Sequence, residues 1–149
     1  MTKRLQVFIL ATGLGLIASP AFAQAHGGVR VGVSSDPDQF FFGGHIETKP
    51  LMRHVTFRPN AEIGVGDNVT TIALNFEFVY SIPIERQPWR VYMGGGPAMN
   101  IYDFNSGSDI RGGFNFVLGV QHDHGLFGEI KIGAIDSPSF KFAVGYAFK

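Results

Sequence analysis

The five histidines are the side chains best suited to metal binding or proton transfer in this chain. Two of them, His122 and His124, flank Asp123 in a short polar segment. Two imidazoles and one carboxylate in a tight turn provide at most a labile surface site, because zinc sites usually hold three or four protein ligands in a tetrahedron. We therefore interpret the segment as a polar turn and assign no metal ligand.

The other three histidines are weaker candidates for catalysis. His45 is predicted to be a hydrogen-bonded interior group rather than a general base. His54 follows Arg53 in a predicted connection. His26 would become an amino-terminal metal chelator only if the chain were cleaved after Ala25.

Two further patterns resemble catalytic motifs without meeting their requirements. Residues 93–97, Met-Gly-Gly-Gly-Pro, are followed by neither the Lys-Ser/Thr pair nor the helix of a phosphate-binding loop. Ser137 and Ser139 have no histidine near them in the predicted layout, whereas a nucleophilic serine needs an adjacent base. The absence of cysteine excludes disulfides and thiol chemistry. The sequence therefore predicts no catalytic residue, no cofactor and no metal.

The composition is unusual for a soluble domain. The 149 residues are 45% hydrophobic and only 16% charged, with 20 Gly and 15 Phe, whereas soluble domains carry roughly 25% charged residues. Many aromatic residues and few charges argue against disorder. A formal net charge of zero argues against nucleic-acid binding.

Residues 1–23 have the organisation of a secretory signal peptide. Lys3 and Arg4 precede an apolar stretch at 7–17, and Ala-Phe-Ala at 21–23 matches a cleavage site. Ala-Gln-Ala at 23–25 offers a second site. We predict a signal peptide at 1–23 and a single mature domain at 24–149, which keeps 10 Lys and Arg against 12 Asp and Glu.

The mature chain alternates between apolar and polar residues, which is the period of a β-strand. Between residues 72 and 82 the even positions are aliphatic or aromatic, and the odd positions are mostly small or polar. Turn-forming segments such as 67–68 and 105–108 separate the alternating stretches. Eight antiparallel strands are predicted, at 29–34, 40–47, 57–65, 70–82, 91–102, 114–121, 126–134 and 140–148.

Eight amphipathic strands fit two barrels that turn opposite faces inward. A secreted lipocalin-like barrel would bind a small apolar ligand on an inward apolar face, whereas an outer-membrane barrel turns that face to lipid. The polar face is rich in glycine, which would only weaken a water-exposed strand. The apolar face is almost free of charge, and strands four and five exceed the ~9–11 residues that cross a bilayer. The pattern favours the membrane barrel.

The polar face carries both signs of charge, and charges inside a barrel need partners. An eight-stranded barrel is just wide enough for side chains to fill, so we predict a lumen filled by an ionic network rather than a wide channel. The predicted network consists of Arg30, Glu47, Arg58, Glu62, Glu77, Arg90, Arg111, Glu129, Lys131 and Lys141.

A two-residue turn at 67–68 fixes the register of the flanking strands. Arg58 then lies opposite Glu77, and Asn60 lies opposite Asn75. Opposite charges directly across two strands are favourable. We therefore predict an ion pair between Arg58 and Glu77 inside the barrel.

The chain resembles the small bacterial outer-membrane β-barrels of the OmpA/OmpX type. The resemblance rests on the signal peptide, the eight alternating strands and the ending Phe-Ala-Val-Gly-Tyr-Ala-Phe-Lys at 142–149. It implies an all-β, eight-stranded antiparallel up-and-down transmembrane β-barrel, porin-like in architecture, in the outer membrane of a Gram-negative envelope. Its implied partners are outer-membrane lipid and the barrel-assembly machinery, which would bind the terminal signal at Tyr146 and Phe148.

Such barrels share one architecture among many activities. We predict a structural or interaction role without catalysis and without a nucleic-acid partner. Two alternatives remain, a lipid-modifying outer-membrane enzyme and the secreted lipocalin-like barrel. The enzyme would need a His/Ser or His/carboxylate cluster near the rim.

Overall fold

The computed structural model describes residues 24–149, so the predicted signal peptide at 1–23 lies outside the described residues. Most of the described chain is extended. The strands are β1 (His26–Ser35), β2 (Gln39–Glu47), β3 (Val55–Val65), β4 (Val69–Pro83), β5 (Trp89–Phe104), β6 (Gly107–His122), β7 (Leu126–Ile135) and β8 (Phe140–Ala147).

The eight strands form one closed barrel. Each strand pairs antiparallel with the next, and β8 returns to pair with β1. Closure pairs the edge strands, which would otherwise expose unpaired backbone groups. The predicted all-β, eight-stranded antiparallel up-and-down barrel is confirmed. Within residues 24–149, no helix is long and apolar enough to cross a membrane.

The predicted register of β3 and β4 is confirmed. The Gly66 amide donates to the Val69 carbonyl at 3.0 Å and closes the turn. Two residues at the apex leave Arg58 directly opposite Glu77. A slip of one residue would send every side chain of a strand to the other face, so this short turn decides which charges enter the lumen.

The connections divide between the two ends of the barrel. The termini end carries His26, Ala147 and the connections 48–54, 84–88 and 123–125, and the opposite end carries the turns 36–38, 66–68, 105–106 and 136–139. The turn after β5 is shorter than the predicted 105–108, because Gly107 and Ser108 pair with Phe104 and Asp103.

Strand length differs around the barrel. β5 and β6 have 16 residues each, whereas β8 has 8. β6 pairs with β7 only from Gly113 onward, so the hairpin of β5 and β6 projects past its neighbour at the opposite end.

Most of the large apolar side chains point away from the lumen. Among the strands of residues 24–149, Asp103 near the end of β5 is the only Asp, Glu, Lys or Arg at an outward position of the alternation. This arrangement is the reverse of a lipocalin-like barrel. Large exposed residues on this face include Val31, Phe42, Ile72, Phe116, Ile132 and Phe142.

Glycines make room for the aromatic rings of the lumen. Tyr92 lies directly across from Gly119, and a Cβ there would overlap the Tyr92 ring. Phe127 likewise lies directly across from Gly145, and a Cβ on Gly145 would overlap the Phe127 ring. A Cβ on Gly94 would instead overlap the β4 backbone at the Phe78 carbonyl, so this glycine allows the close approach of two strands rather than making space for a ring.

The ring of Tyr92 gives a test of this packing. Gly119→Ala should lower the free energy of unfolding by about 1–3 kcal/mol, because overpacking displaces a ring that has no free space. Urea unfolding in detergent micelles, followed by the fluorescence of the single tryptophan, measures it.

The matched control is Gly112→Ala on the same strand, where a Cβ meets no atom within 4 Å. We expect little change in that variant. Equal losses in the two variants would contradict the packing of Tyr92 on Gly119.

Candidate functional site: the lumen ionic network

Seven charged side chains meet in the middle of the barrel, and we call them the lumen network. They come from five strands, because each faces inward at its position in the alternation. All seven are buried, with at most 4% of any residue exposed to solvent. The lumen network consists of Arg30, Arg58, Glu62, Glu77, Glu129, Lys131 and Lys141.

Glu129 links side chains from three other strands. Arg30 donates a short hydrogen bond to its Oε1. Arg58 Nη2 and Tyr92 Oη donate to its Oε2 at 2.9 Å and 2.7 Å. These groups lie on β1, β3, β5 and β7, so one carboxylate connects alternate strands across the lumen.

Glu62 forms the second carboxylate centre. Lys131 Nζ lies 2.8 Å from its Oε1, and Lys141 Nζ lies 2.6 Å from its Oε2. Arg30 Nη1 lies 3.6 Å from the same Oε1. Each carboxylate oxygen of Glu62 therefore has a cation beside it.

Glu77 completes the set from β4. Its Oε1 lies 2.8 Å from Lys131 Nζ, and its Oε2 lies 3.7 Å from Arg58 Nη2. The longer contact is the Arg58–Glu77 pair expected from the β3–β4 register. Lys131 is the bridging cation, since it also lies 3.8 Å from a Glu129 oxygen.

A line of asparagines extends the network through amide hydrogen bonds. Asn115 donates to Asn75 at 2.7 Å, and Asn75 donates to Asn60 at 2.8 Å. Asn60 accepts a bond from Lys131 at 3.3 Å. The sequence placed Asn60 opposite Asn75, but Asn115 lies three strands away from Asn60 and was missed.

Aromatic rings pack against the cations. The Arg58 guanidinium lies 4.6 Å from the centre of the Tyr92 ring, and the Lys141 ammonium lies 5.1 Å from that of Phe41. Such contacts favour a cation where water is scarce. The alternation of β5 places Tyr92 on the inward face, but its bond to Glu129 has no sequence signal.

Positive charges outnumber negative ones in the lumen network, with four cations and three carboxylates. Removing a charge from water costs several kcal/mol, which only close partners offset. Some donors have no partner among the described residues, namely Arg30 Nε and Nη2 and Arg58 Nε. The network is therefore dense but not fully satisfied.

Three of the ten side chains predicted for the network lie elsewhere. Glu47 lines the mouth of the barrel at the termini end, as does Arg90, which donates to Gln121 at 2.8 Å. Arg111 is exposed and pairs with Asp109 at 2.8 Å. Arg111 lies outside the lumen because β6 projects past β7 at this point. The alternation of residues does not indicate how far each strand extends.

The histidines lie in different environments. His45 is buried in the lumen against Phe127, but its Nδ1 has no hydrogen-bond partner among the described residues. The expected interior position of His45 is therefore found, but the expected hydrogen bond is not made at Nδ1. His122 and His124 stack with ring centres 4.9 Å apart. Residues 24–149 contain no group of three or more His, Asp or Glu able to hold a metal.

The turn 136–139 folds inward at the opposite end of the barrel. The Asp136 carbonyl accepts bonds from Asn100 Nδ2 at 3.0 Å and from Tyr102 Oη at 3.1 Å. Pro138 is fully buried. Ser137 accepts a bond from Asn100 at 3.3 Å, so its hydroxyl helps to hold the turn over the lumen. The sequence alone did not indicate this inward fold.

Tyr146 and Phe148 lie at the termini end, both pointing outward. Their rings are 5.8 Å apart, and the Phe148 amide donates to the Gly27 carbonyl at 2.7 Å. Their recognition by the barrel-assembly machinery stays a prediction.

Comparison with known proteins supports the fold. No family model matches the chain, and no curated protein matches it. Among solved structures, the N-terminal β-barrel domain of Pseudomonas aeruginosa OprF is similar, with a TM-score of 0.64 and 16% identity. The match covers 83% of this chain and 96% of that one. The resemblance to OmpA/OmpX-type barrels is thus confirmed at the level of fold.

Glu129 offers a direct test of the lumen network. Glu129→Gln should lower the free energy of unfolding by about 3–5 kcal/mol, because Arg30 and Arg58 lose their shared carboxylate while buried. Denaturant unfolding in micelles measures the change.

Asp109→Asn is the control, since it removes a carboxylate from the exposed pair with Arg111. Exposed pairs add little to stability, and we expect no clear change. An unchanged stability in Glu129→Gln would show that the network does not hold the barrel together.

Proposed function

We propose that this protein is a structural barrel of the bacterial outer membrane, with a lumen filled by side chains and no catalytic activity. The buried lumen network carries the proposal, because it occupies the space that a channel would need. The protein's implied partners are outer-membrane lipid and, during biogenesis, the barrel-assembly machinery.

The outward face supports the membrane location. Its exposed valines, isoleucines and phenylalanines form a continuous apolar surface around a closed barrel. Such a surface in water would promote aggregation, whereas lipid solvates it. A predicted signal peptide at 1–23 would export the chain.

The lumen supports a structural rather than a conducting role. Glu129 and its partners cross the barrel from β1 to β7, and the turn 136–139 caps the opposite end. A solute would have to break several ion pairs of buried groups to pass. Each broken pair leaves an uncompensated charge, which is costly.

The positions of Ser137 and Ser139 argue against either one as the nucleophile of a lipid-modifying enzyme. All five histidines lie toward the termini end, whereas Ser137 and Ser139 lie in the turn at the opposite end. A nucleophilic serine needs a base within hydrogen-bond reach. The Ser137 hydroxyl instead accepts a bond from Asn100.

Envelope fractionation tests the membrane location. The expressed precursor should be recovered with the outer membrane and, after detergent extraction, migrate differently in electrophoresis before and after boiling. A closed barrel with a paired backbone keeps its fold in detergent until it is heated. Recovery in the soluble periplasm would overturn the proposal.

Liposome swelling tests the closed lumen. Purified barrel in liposomes should admit arabinose no faster than protein-free liposomes do, because the network blocks the middle of the barrel. Rapid swelling with correctly folded protein would show an open channel.

A further inference from the structure

We propose that the mouth of the barrel at the termini end binds an oxyanion, either a phosphate or a carboxylate group. This inference concerns a surface outside the lumen network and does not depend on the structural role proposed above. It rests on a cavity, on unpaired cations and on a buried hydroxyl without a partner.

The cavity at the termini end has a volume of about 510 Å³. Its wall comes from the starts or ends of several strands and from the connection 48–54. Three lining side chains are cationic, Lys49, Arg90 and Lys149, and Glu47 is the one acidic side chain among them. The balance of side-chain charge in the mouth is therefore positive.

Arg90 is the cation best placed to bind a ligand. Its Nε and Nη2 donate to the amide oxygen of Gln121 at 3.3 Å and 2.8 Å. Among the described residues it has no ion pair, and two of its N–H groups point to one neutral oxygen. The guanidinium is thus held in one orientation while its charge stays uncompensated, and a planar guanidinium suits an oxyanion.

Thr56 supplies the observation that points to a ligand. Thr56 is only 7% exposed and is one of the residues that line the cavity, and its buried hydroxyl has no hydrogen-bond partner among the described residues. A buried hydroxyl without a partner costs free energy. An oxyanion beside Arg90 would accept a bond from this hydroxyl, and Ser81 in the same wall offers a second donor.

The distribution of charge between the two ends favours an anion at this one. Six of the seven aspartates lie at the opposite end, whose cavity includes Asp36 and Asp136 beside Arg111. Five of the ten Lys and Arg in residues 24–149 lie at or near the termini end. The field along the barrel therefore attracts anions to the mouth that contains Arg90.

Titration of the folded protein with small anions tests the site. The ¹⁵N-labelled protein, in maltoside micelles that contain no phosphate, is titrated with inorganic phosphate or with acetate at constant ionic strength. We expect saturable chemical shift changes at the amides of Thr56, Arg90 and Gln121. Saturation by phosphate, by acetate or by both supports the site and identifies the chemical source of the oxyanion.

Three variants connect the binding to these side chains. Arg90→Gln should weaken binding by about tenfold or more, because a charge-assisted hydrogen bond is lost. Glu47→Gln should strengthen it, since a competing negative charge is removed. Arg111→Gln at the opposite end is the matched control and should bind as the wild type does.

Heat-dependent migration shows that each variant is folded, and Lys49→Gln replaces Arg90→Gln if the latter does not fold. Shifts that never saturate with either anion would overturn the proposal. So would equal affinities in the wild type and Arg90→Gln, or an equal loss in Arg111→Gln.

Discussion

The pairing of charges inside the barrel is the constraint on which the rest of the structure depends. Charged groups removed from water must lie beside opposite charges, and here Glu129 meets Arg30, Arg58 and Tyr92 from three other strands. No two neighbouring strands could supply this set. The closed barrel is what brings strands distant in sequence within hydrogen-bond reach of one carboxylate.

The same constraint explains why glycine and aromatic residues occur together. Long charged side chains fill the centre of the lumen, so a ring beside them needs space at the wall. Gly119 gives that space to Tyr92, and Tyr92 in turn donates to Glu129. A composition that is rich in Gly and poor in charge thus reflects one packed interior and one apolar exterior.

Much of the barrel could be predicted because alternation and turns are local signals. The turn at 67–68 fixed the pairing of Arg58 with Glu77. The alternation of inward and outward positions placed Lys131 and Glu62 on the inward face. Contacts across the lumen were not predictable, since sequence order says nothing about which inward side chains reach each other. The ends of the strands also have no clear sequence signal. Neither the position of Arg111 outside the lumen nor the inward fold of the turn 136–139 was therefore expected.

Unequal strand lengths give the barrel a tall side and a low side. At a rise of roughly 3.4 Å per residue, the 16 residues of β6 extend about 50 Å, and the 8 residues of β8 extend about half as far. A tilted strand needs only ~9–11 residues to cross the hydrocarbon core. In an outer membrane of the proposed kind, the tall wall would extend beyond the lipid, and the low wall would end near its surface. The barrel is therefore asymmetric at its opposite end, with a higher rim on the side of β5 and β6 than on the side of β8.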